Sequence, residues 1–505
     1  MTTSTSTTSE PLTSMPTPST TTVFTQLAAA AQAHPDRPFL RWWDWRDERI
    51  SLTYAESHQA ACGTAAQLRA AGAGIGARIA VVLPNGPDLL RIWFAAAALG
   101  AVVIPLDPRL TDTELASVLD QSGPDLAVLP GREELAPAGT AVIDVPGDVR
   151  AERPPVRARD DGGAPAAILF TSGSTGRPKG CLISHDSLIV PAAEMVERLG
   201  LTSADTTLHV LPLHHMAGLS FLTTAITAGA TIAMRPRFSG TRFWADAADS
   251  GATVFRHLGE MLAVLNQRQS GPGPDGHPLR LVYGGGATAD VAGTFSKLFG
   301  VSVLEGYGLS ETNTALAGVQ DETVPGTLGA PLAHVEVRLV DPADGTVILG
   351  PGEGELQLRC RPAVMLGYFA DPEATAQAFS GHWFRTGDQV RRDDEGVLHF
   401  QHRIKDIIRR RGENIDPVEI ENAASALPGV RKAVAVGIPA EHGSTEIRIF
   451  VEADGSVTPD DIRGVCAQRL APFKQPRFVD IVDRLPLTRT EKIDKASLRA
   501  AEAPV

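Results

Sequence analysis

The stretch AAILFTSGSTGRPKG, Ala166–Gly180, changes character after its first five residues. The apolar run Ala166–Phe170 has the length and composition of a buried strand. The residues that follow are mostly glycines, hydroxyl residues and bases, which neither pack a core nor hold a regular helix. Glycines let the backbone turn inward, so that successive N–H groups converge on an anion, and Lys179 adds a cation. The stretch therefore predicts a strand followed by a loop that holds a polyphosphate.

This loop is not a Walker A loop, because Pro178 rather than Gly precedes Lys179 and Gly180 rather than Ser or Thr follows it. Taken by its composition alone, it could also be a solvated flexible loop. The strand immediately before it and the lysine at its end favour phosphate binding.

Apolar strands and amphipathic helices alternate on both sides of the loop. Strands are predicted at Arg78–Gly86, Thr206–Leu213 and Leu279–Gly286, and a helix at Asp88–Leu99. This alternation is typical of βαβ units in a mostly parallel sheet. Between Asp321 and Val397, short strands separated by Gly and Pro indicate a β-rich subdomain. The predicted fold class is α/β.

The chain changes again near Gln401, where HRIKDIIRRRGENI is strongly basic and a new α+β pattern follows. We expect three parts. Residues 1–22, rich in Thr, Ser and Pro, form a disordered tail. Residues 23–402 form a large N-terminal domain of mixed αβ layers, and residues 403–505 are numerous enough to form a small α+β domain.

Charge and composition exclude several classes of protein. The net charge of -13 and the pI of about 5.5 argue against a general nucleic-acid binder. The four cysteines are far apart with no CxxC pair, so a disulfide framework or a zinc site is not expected. Met1–Thr22 lacks the pattern of a signal peptide, and the apolar run Ile92–Leu106 is too short to span a bilayer. A cytoplasmic protein with no membrane partner is predicted.

The glycine-rich loop resembles the phosphate-loop signature of the adenylate-forming superfamily, which includes acyl-CoA synthetases, non-ribosomal peptide adenylation domains and firefly-type luciferases. Six further segments match that family in the expected order, up to Lys495. The resemblance implies a large adenylation domain, a small mobile C-terminal domain, and the use of ATP, Mg²⁺ and coenzyme A. It assigns Thr171 to catalysis and to nucleotide binding. The other nucleotide-binding residues that it implies in the loop are Ser172, Gly173, Ser174, Thr175, Gly176 and Lys179.

Three further segments contain most of the other residues that the resemblance assigns to nucleotide binding. In EGYGLSET, Glu305–Thr312, the family's aromatic ring stacks on adenine, and Glu311 would hold Mg²⁺. YGGGATAD, Tyr283–Asp290, resembles the glycine-rich wall of the acyl pocket, and FRTGD, Phe384–Asp388, the ribose-binding Thr-Gly-Asp. The nucleotide-binding residues implied by these segments and by the following junction are Gly284, Gly285, Gly286, Glu305, Gly306, Tyr307, Gly308, Ser310, Asp388 and Arg403.

HRIKDIIRRRGENIDPVEIE, His402–Glu421, resembles the junction between the family's two domains. The resemblance implies that Arg403 meets the ribose and that Lys405 is the hinge. It also implies that Gly412 lines the thiol tunnel after a rotation of the small domain. The chain departs from the family at His402, where glycine is usual.

PLTRTEKIDK, Pro486–Lys495, resembles the C-terminal signature whose lysine bridges the acid and the α-phosphate. Lys492 takes the place of that catalytic lysine. The family usually has glycine immediately before it, whereas this chain has Glu491, which places a negative charge beside the cation.

Two segments concern the acid. PLHHMAG, Pro212–Gly218, resembles the start of the acyl pocket, and it assigns His215 as a catalytic residue at the position that gates the pocket. In ATVFRHLGEML the polar residues are Arg256, His257 and Glu260. One hypothesis is that they favour a small or polar acid over a long fatty acid. The alternative is that they face solvent or pair with one another.

The predicted activity is ATP-dependent activation of a carboxylic acid as an acyl-adenylate, with release of pyrophosphate, followed by transfer to the thiol of coenzyme A. This makes the chain an AMP-forming acid–thiol ligase. One alternative keeps the adenylation but uses an amine, the thiol of a separate carrier protein, or nitrite adenylated for N–N bond formation. A second alternative is a non-catalytic nucleotide-binding protein, although Lys492 and Glu311 are both present.

Overall fold

The computed structural model describes residues 19–44, 48–145, 147, 149–152, 161–171, 178–268, 276–319, 326–406, 408–410, 413–415, 417–439, 445–470, 472–488 and 492–501. The chain forms two compact units. The first contains the chain up to Val337 together with Gln357–Arg385, and the second contains Arg338–Leu356 together with Thr386–Val505. The domain boundary that the sequence suggests, between residues 402 and 403, stays a prediction.

Thirteen α-helices lie within the described residues. They are α1 (Val23–Ala33), α2 (Tyr54–Ala70), α3 (Pro87–Leu99), α4 (Asp112–Ser122), α5 (Asp186–Arg198), α6 (Met216–Ala228), α7 (Phe243–Ser250), α8 (Gly259–Arg268), α9 (Ala289–Phe299), α10 (Pro372–Ala378), α11 (Pro417–Ser425), α12 (Pro459–Arg469) and α13 (Lys495–Ala500). Many begin or end at local sequence signals. Thr22, Thr53 and Thr111 close capping boxes at the starts of α1, α2 and α4, and Gly100 and Gly229 end α3 and α6 in the left-handed conformation.

The strands of the described residues, in chain order, are β1 (Pro38–Trp43), β2 (Arg49–Thr53), β3 (Arg78–Val81), β4 (Val102–Pro105), β5 (Leu126–Val128), β6 (Ala141–Val142), β7 (Pro165–Thr171), β8 (Lys179–Ser184), β9 (Thr206–His209), β10 (Thr231–Met234), β11 (Val254–Leu258), β12 (Leu281–Gly285), β13 (Ser302–Leu309), β14 (Asn313–Ala317), β15 (Ala330–Pro331), β16 (Val335–Val340), β17 (Val347–Ile348), β18 (Gly352–Cys360), β19 (Gly367–Tyr368), β20 (Phe379–Ser380), β21 (Trp383–Arg392), β22 (Leu398–Arg403), β23 (Ile408–Arg410), β24 (Glu413–Ile415), β25 (Val430–Pro439), β26 (Thr445–Ala453) and β27 (Phe478–Val482).

Two large sheets form the first unit. One has the order β15-β14-β13-β12-β11-β9-β10-β1-β2, and its strands from β13 to β1 run parallel. The other has the order β19-β8-β7-β4-β3-β5-β6 and is parallel from β7 to β6. The predicted α/β class is confirmed. The short strands expected between Asp321 and Val397 are also present in the described part of that range, as β15 to β21.

Helices cover both faces of the seven-stranded sheet. Ile79 and Val81 of β3 belong to the largest apolar cluster, which also contains side chains of α1, α2, α3, α5 and α6 and of the nine-stranded sheet. The alternate residue Ala80 belongs to a second cluster with Leu115 of α4. Because successive side chains of a strand point to opposite faces, the layer of helices between the two sheets contacts one face of β3, and α4 contacts the other.

The segment Ser19–Thr22 belongs to the first unit, although its composition resembles that of the residues before it. The carbonyl oxygen of Ser19 accepts a hydrogen bond of 2.6 Å from the Gly162 N–H, and Thr22 caps α1. Folded structure therefore begins, among the described residues, before the position 23 expected from the sequence.

The second unit contains the three-stranded sheet β25-β26-β27, in which β25 and β26 are antiparallel and β26 and β27 are parallel. Ile420 of α11, Ile462 of α12 and Ile449 of β26 share its apolar core. The residues of β21 that pair with β22, and the hairpin β23–β24, belong to the same unit. Among the helices of the described residues, none combines the length and the apolar character needed to cross a bilayer.

Candidate active site

The predicted phosphate loop connects two antiparallel strands of the first unit. Thr171 ends β7 and Lys179 begins β8, and the two residues pair across the strands. The Thr171 hydroxyl donates a hydrogen bond of 3.3 Å to the Lys179 carbonyl oxygen. The five loop residues between them that the sequence assigns to the nucleotide lie outside the described residues: Ser172, Gly173, Ser174, Thr175 and Gly176. The structure thus gives the position of the two ends of the loop.

Tyr368 brings the predicted metal ligand and the loop lysine together. Its hydroxyl donates a hydrogen bond of 2.8 Å to Glu311 Oε1, and Lys179 Nζ lies 5.0 Å from the centroid of its ring. Strand β19 holds Tyr368 opposite Cys181 of β8. Burial and then the Glu311 charge raise the pKa of Tyr368 well above its usual range, so the hydroxyl remains a donor. The carboxylate of Glu311 and the ammonium group of Lys179 therefore both contact Tyr368 near the start of β8.

The segment Glu305–Thr312 turns from β13 into β14. Strand β13 pairs first with β12 in parallel and then, from Gly306, with β14 in antiparallel fashion. Gly308 is required for this pairing, because a Cβ atom there would lie 2.0 Å from the Asn313 carbonyl oxygen. Ser310 and Glu311 lie in the turn between the two strands. The predicted nucleotide-binding residues Gly306, Tyr307 and Gly308 therefore share one strand, with the predicted metal ligand at its end.

The glycines after Tyr283 lie beside a buried acidic residue. Gly284 and Gly285 end β12, and Gly286 adopts a φ of 88°, which favours glycine. Glu305 is 5% exposed, and its Oε2 accepts a hydrogen bond of 3.3 Å from the Ala287 N–H. The carboxylate that the sequence assigns to the nucleotide thus also holds the chain that follows the three glycines.

His215 is the N-cap residue of α6, and its neighbour His214 lies beside the ion pair of buried Asp107 and exposed Arg109. Its ring meets that of His214 edge to face, with centroids 4.3 Å apart. His214 Nε2 lies 3.5 Å from Asp107 Oδ2, and Arg109 Nη2 donates to the same oxygen at 2.9 Å. Burial lowers the pKa of His214 from 6.5 to about 4, against the opposing effect of Asp107. His214 is therefore neutral at physiological pH and positions its neighbour His215.

The neutral state of His214 predicts a pH dependence of stability. Its pKa is about 4 in the folded chain and 6.5 ordinarily, so the unfolded chain binds the proton first as the pH falls. Stability from this residue is complete above 6.5 and is lost as the pH falls from 6.5 towards 4. We expect His214→Gln to lower the slope of unfolding free energy against pH, between pH 5 and 6, by about 1 kcal/mol per pH unit. Urea unfolding at several pH values measures this slope, and an unchanged slope would contradict the assignment.

The predicted ribose residues meet in the second unit. Asp388 of β21 pairs with Arg403 of β22, and Arg403 Nε lies 2.7 Å from Asp388 Oδ1. Asp388 is 1% exposed, and its N–H donates to the Thr386 hydroxyl at 3.1 Å. The antiparallel hairpin thus joins a carboxylate and a guanidinium that are 15 residues apart along the chain (403 minus 388).

The remaining predicted residues of the second unit are described in part. Lys405 lies in the 3₁₀ turn Ile404–Asp406, but its side chain lies outside the described residues, as does Gly412. Lys492 is exposed and lies in a tight turn, where its N–H donates to the Thr488 hydroxyl at 3.2 Å. The structure therefore places the backbone of Lys405 and of Lys492.

Sequence reasoning missed Tyr368, Asp107 and Arg109. Asp107 follows β4 at its carboxyl end, a position where polar residues of parallel sheets often serve a ligand, and this signal could have revealed it. Tyr368 belongs to a strand of two residues whose local sequence predicts neither its strand nor its contact with Glu311. That contact arises only in the folded chain.

Comparison with known proteins agrees with this geometry. The sequence matches the model of the AMP-binding enzyme family over residues 27–369 and that of the AMP-binding enzyme C-terminal domain over residues 419–492. A feruloyl-CoA synthase of Amycolatopsis is 33% identical over 89% of this chain and 94% of that protein. A long-chain-fatty-acid–CoA ligase of Mycobacterium tuberculosis is 30% identical over 89% of this chain and 93% of that protein.

A solved structure is similar over nearly the whole length of both chains. It is the O-succinylbenzoate coenzyme A synthetase of Bacillus subtilis in complex with ATP and a magnesium ion, at a TM-score of 0.82 and 26% identity. The similarity covers 94% of this chain and 98% of that one. The predicted membership of the adenylate-forming superfamily is confirmed. The chain belongs to the AMP-binding enzyme family.

Proposed function

We propose that the enzyme joins the carboxylate of a small-molecule acid to AMP and then passes the acyl group to coenzyme A. The predicted reaction class, an AMP-forming acid–CoA ligase, is confirmed by the relatives, which are named as CoA ligases and synthases. The predicted use of ATP, Mg²⁺ and coenzyme A is confirmed in the same way. The roles of individual residues in this chain are our proposal.

The observation that carries these roles is the placement of Lys179 and Glu311 on either side of Tyr368. A magnesium-bound polyphosphate needs a cation for its oxygens and a carboxylate for its metal. Lys179 begins the strand that follows the predicted phosphate loop, and Tyr368 contacts both Lys179 and Glu311. We therefore assign Lys179 and the loop from Thr171 to the β- and γ-phosphates, and Glu311 to the magnesium ion.

The described residues fit Mg²⁺ bound through ATP. They contain no group of three or more His, Cys, Asp or Glu side chains arranged to hold a metal. Magnesium uses one or two carboxylates together with phosphate oxygens and water, so a dedicated cage is not required. Glu311 is partly buried, and Tyr368 fixes one of its oxygens. The ion, when bound, would neutralise phosphate charge.

A carboxylate is a poor electrophile, and adenylation corrects this. An oxygen of the acid attacks the α-phosphorus, the P–O bond to the β-phosphate breaks, and pyrophosphate leaves with the electron pair. Negative charge grows on the phosphoryl oxygens, where a fixed cation lowers the barrier. We assign this role to Lys492, and we assign the ribose to Asp388 and Arg403.

The second half of the reaction forms the thioester. The sulfur of coenzyme A attacks the acyl carbon of the adenylate, and AMP leaves with the oxygen that came from the acid. We propose that the small domain rotates about Lys405 between the two halves, so that Lys492 withdraws and the Gly412 loop lines the thiol path. We propose that His215 gates the acyl pocket. Domain motions of this kind often limit turnover.

The acid is not fixed by the family, since the relatives' names range from feruloyl to long-chain fatty acyl substrates. The alternative activities differ from this one in the acceptor of the acyl group. We propose coenzyme A, against an amine or the thiol of a separate carrier protein. A cytoplasmic location fits an enzyme that consumes ATP and coenzyme A.

A panel of acids in the ATP–pyrophosphate exchange assay tests the first half of this proposal, and mass spectrometry with and without coenzyme A tests the second. We expect exchange with at least one acid, and a product that carries coenzyme A only when the thiol is supplied. Exchange without any coenzyme A adduct would indicate that the acceptor is not coenzyme A. An acid-independent loss of ATP or the lack of any exchange would contradict adenylation.

A further inference from the structure

Three polar side chains of the first unit form a cluster on the neighbouring strands β9, β11 and β12. We call His209, Arg256 and Tyr283 the Arg256 cluster. Arg256 and Tyr283 are partners across the parallel strands β11 and β12, and the Arg256 Cζ atom lies 5.4 Å from the centroid of the Tyr283 ring. His209 stacks on Phe221 of α6 at 4.2 Å, and Phe221 meets Tyr283 edge to face at 5.5 Å.

The charge of Arg256 has no acidic partner among the described residues. Its Nη1 donates to the Ala217 carbonyl oxygen at 3.2 Å and its Nη2 to the Thr314 hydroxyl at 3.3 Å, so both contacts are with neutral groups. The side chain is partly buried. Buried arginines elsewhere in the unit are paired: Arg235 is fully buried and bonds to Asp246. Since a cation withdrawn from water is normally paired, Arg256 has the properties of a site for an anion.

Its neighbours add unsatisfied polar atoms. Tyr283 is 4% exposed, and its hydroxyl lies near Thr224 and Arg256 without a hydrogen bond of normal geometry. His209 is 0% exposed, and its ring lies near the Phe221 backbone, also without such a bond. Burial lowers the pKa of His209 to about 3, with Arg256 adding to that effect, so the ring is neutral. Buried polar atoms are nearly always hydrogen-bonded, and an anionic ligand would supply acceptors for the donors of this cluster.

The surroundings of the cluster are the parts predicted to bind the acid. Tyr283 directly precedes the glycines Gly284–Gly286, and Ala217 lies two residues after His215. Thr314 lies three residues after the proposed metal ligand Glu311. His257, next along the chain from Arg256, lies instead 3.3 Å from Glu305, so the two polar residues that the sequence singled out together have different partners. The side chain of Glu260 lies outside the described residues.

We propose that Arg256, with the Tyr283 hydroxyl, binds a second anionic group of the substrate, so that the enzyme activates a short acid carrying another carboxylate or a sulfonate. This inference rests on the proposed acid activation. One carboxylate of such an acid reacts with ATP, and the other pairs with the guanidinium. A long fatty acid is disfavoured, because its apolar tail would cover the charge of Arg256, whose contacts among the described residues are all with neutral groups.

Matched pairs of ligands test this directly. We would compare short α,ω-dicarboxylates, and the corresponding ω-sulfonates, with the ω-amides of the same chain length. Calorimetry would measure binding and pyrophosphate exchange would measure activation. The wild type is expected to prefer the second anion over the amide by about 100-fold or more in kcat/KM. Arg256→Met should reduce that preference by about 100-fold, and Arg256→Lys should restore part of it, since it keeps the charge but loses the planar fork.

Thr314→Val is the matched control, because it removes a contact of Arg256 but keeps its charge, and the preference should persist. A wild type that binds amides and diacids equally would overturn the inference, and so would an Arg256→Met variant that loses both equally. If no acid supports pyrophosphate exchange, the proposed acid activation is contradicted, whatever the role of Arg256. Calorimetry then decides this inference: diacid binding that disappears in Arg256→Met supports it, and no diacid binding overturns it.

Discussion

Replacing Lys492 by alanine is expected to abolish adenylation while leaving thioester formation from a supplied acyl-adenylate largely intact. The proposed rotation places Lys492 at the α-phosphate only during the first half-reaction, so only that half should depend on its ammonium group. Removal of one such electrostatic partner costs about 10²–10³-fold in rate. Lys492 is exposed, and the hydrogen bond from its backbone N–H to the Thr488 hydroxyl is retained by alanine. Stopped-flow assays of the two half-reactions measure the effect.

Lys495 provides the matched control for this prediction. Lys495 lies three residues further along the chain, where it begins α13. Its Nζ lies 3.2 Å from Glu421 Oε1. Lys495→Ala removes a lysine with a structural partner, so it should keep both half-reactions. An equal loss of both halves in Lys492→Ala would contradict the proposed rotation, because the lysine would then serve both geometries.

Replacing Glu311 by glutamine is expected to lower pyrophosphate exchange by about 10²–10³-fold and to shift its Mg²⁺ dependence to higher concentrations. The amide keeps the shape of the side chain but loses the charge that a hard cation prefers. The residue is partly buried in the turn between β13 and β14, and the described residues contain no group of three or more His, Cys, Asp or Glu side chains that could hold the metal without it. A titration of exchange rate against Mg²⁺ measures both effects.

Tyr368→Phe separates the charge of Glu311 from its position. It removes the hydroxyl that donates to Glu311 at 2.8 Å and retains the ring beside Lys179. One hydrogen bond to a charged group contributes about 1.5–3 kcal/mol, so we expect a loss of about tenfold to 100-fold, smaller than that of Glu311→Gln. If Glu311→Gln leaves the Mg²⁺ dependence of exchange unchanged, Glu311 is not the metal ligand.

The fold was largely predictable because its signals are local. The apolar strand before the phosphate loop is present as β7, and the helix expected at Asp88–Leu99 is present as α3. The pairing of strands is not local. Fully buried Arg235 illustrates the limit, since its place depends on Asp246 and on the Trp43 ring 4.0 Å from its Cζ atom. Nothing in the local sequence indicates that this arginine is internal.

In the candidate site, too, some features could be predicted from the local sequence and others could not. Glu311, Lys179, Asp388 and Arg403 could be named from the sequence, because each belongs to a segment with a strong resemblance to a family signature. Their contacts could not be named. Tyr368 joins the first two only because β19 pairs with β8, and no spacing in the chain indicates that pairing. Residues that position others are therefore found only in the folded chain.

The central claim is that an oxygen of the acid attacks the α-phosphorus of ATP. The most direct measurement uses an acid labelled with heavy oxygen (¹⁸O) in its carboxylate, with ATP, Mg²⁺ and coenzyme A, and mass spectrometry of the nucleotide product. We expect AMP that carries one labelled oxygen, together with unlabelled pyrophosphate. Label in inorganic phosphate with ADP as the nucleotide, or AMP without label, would contradict it.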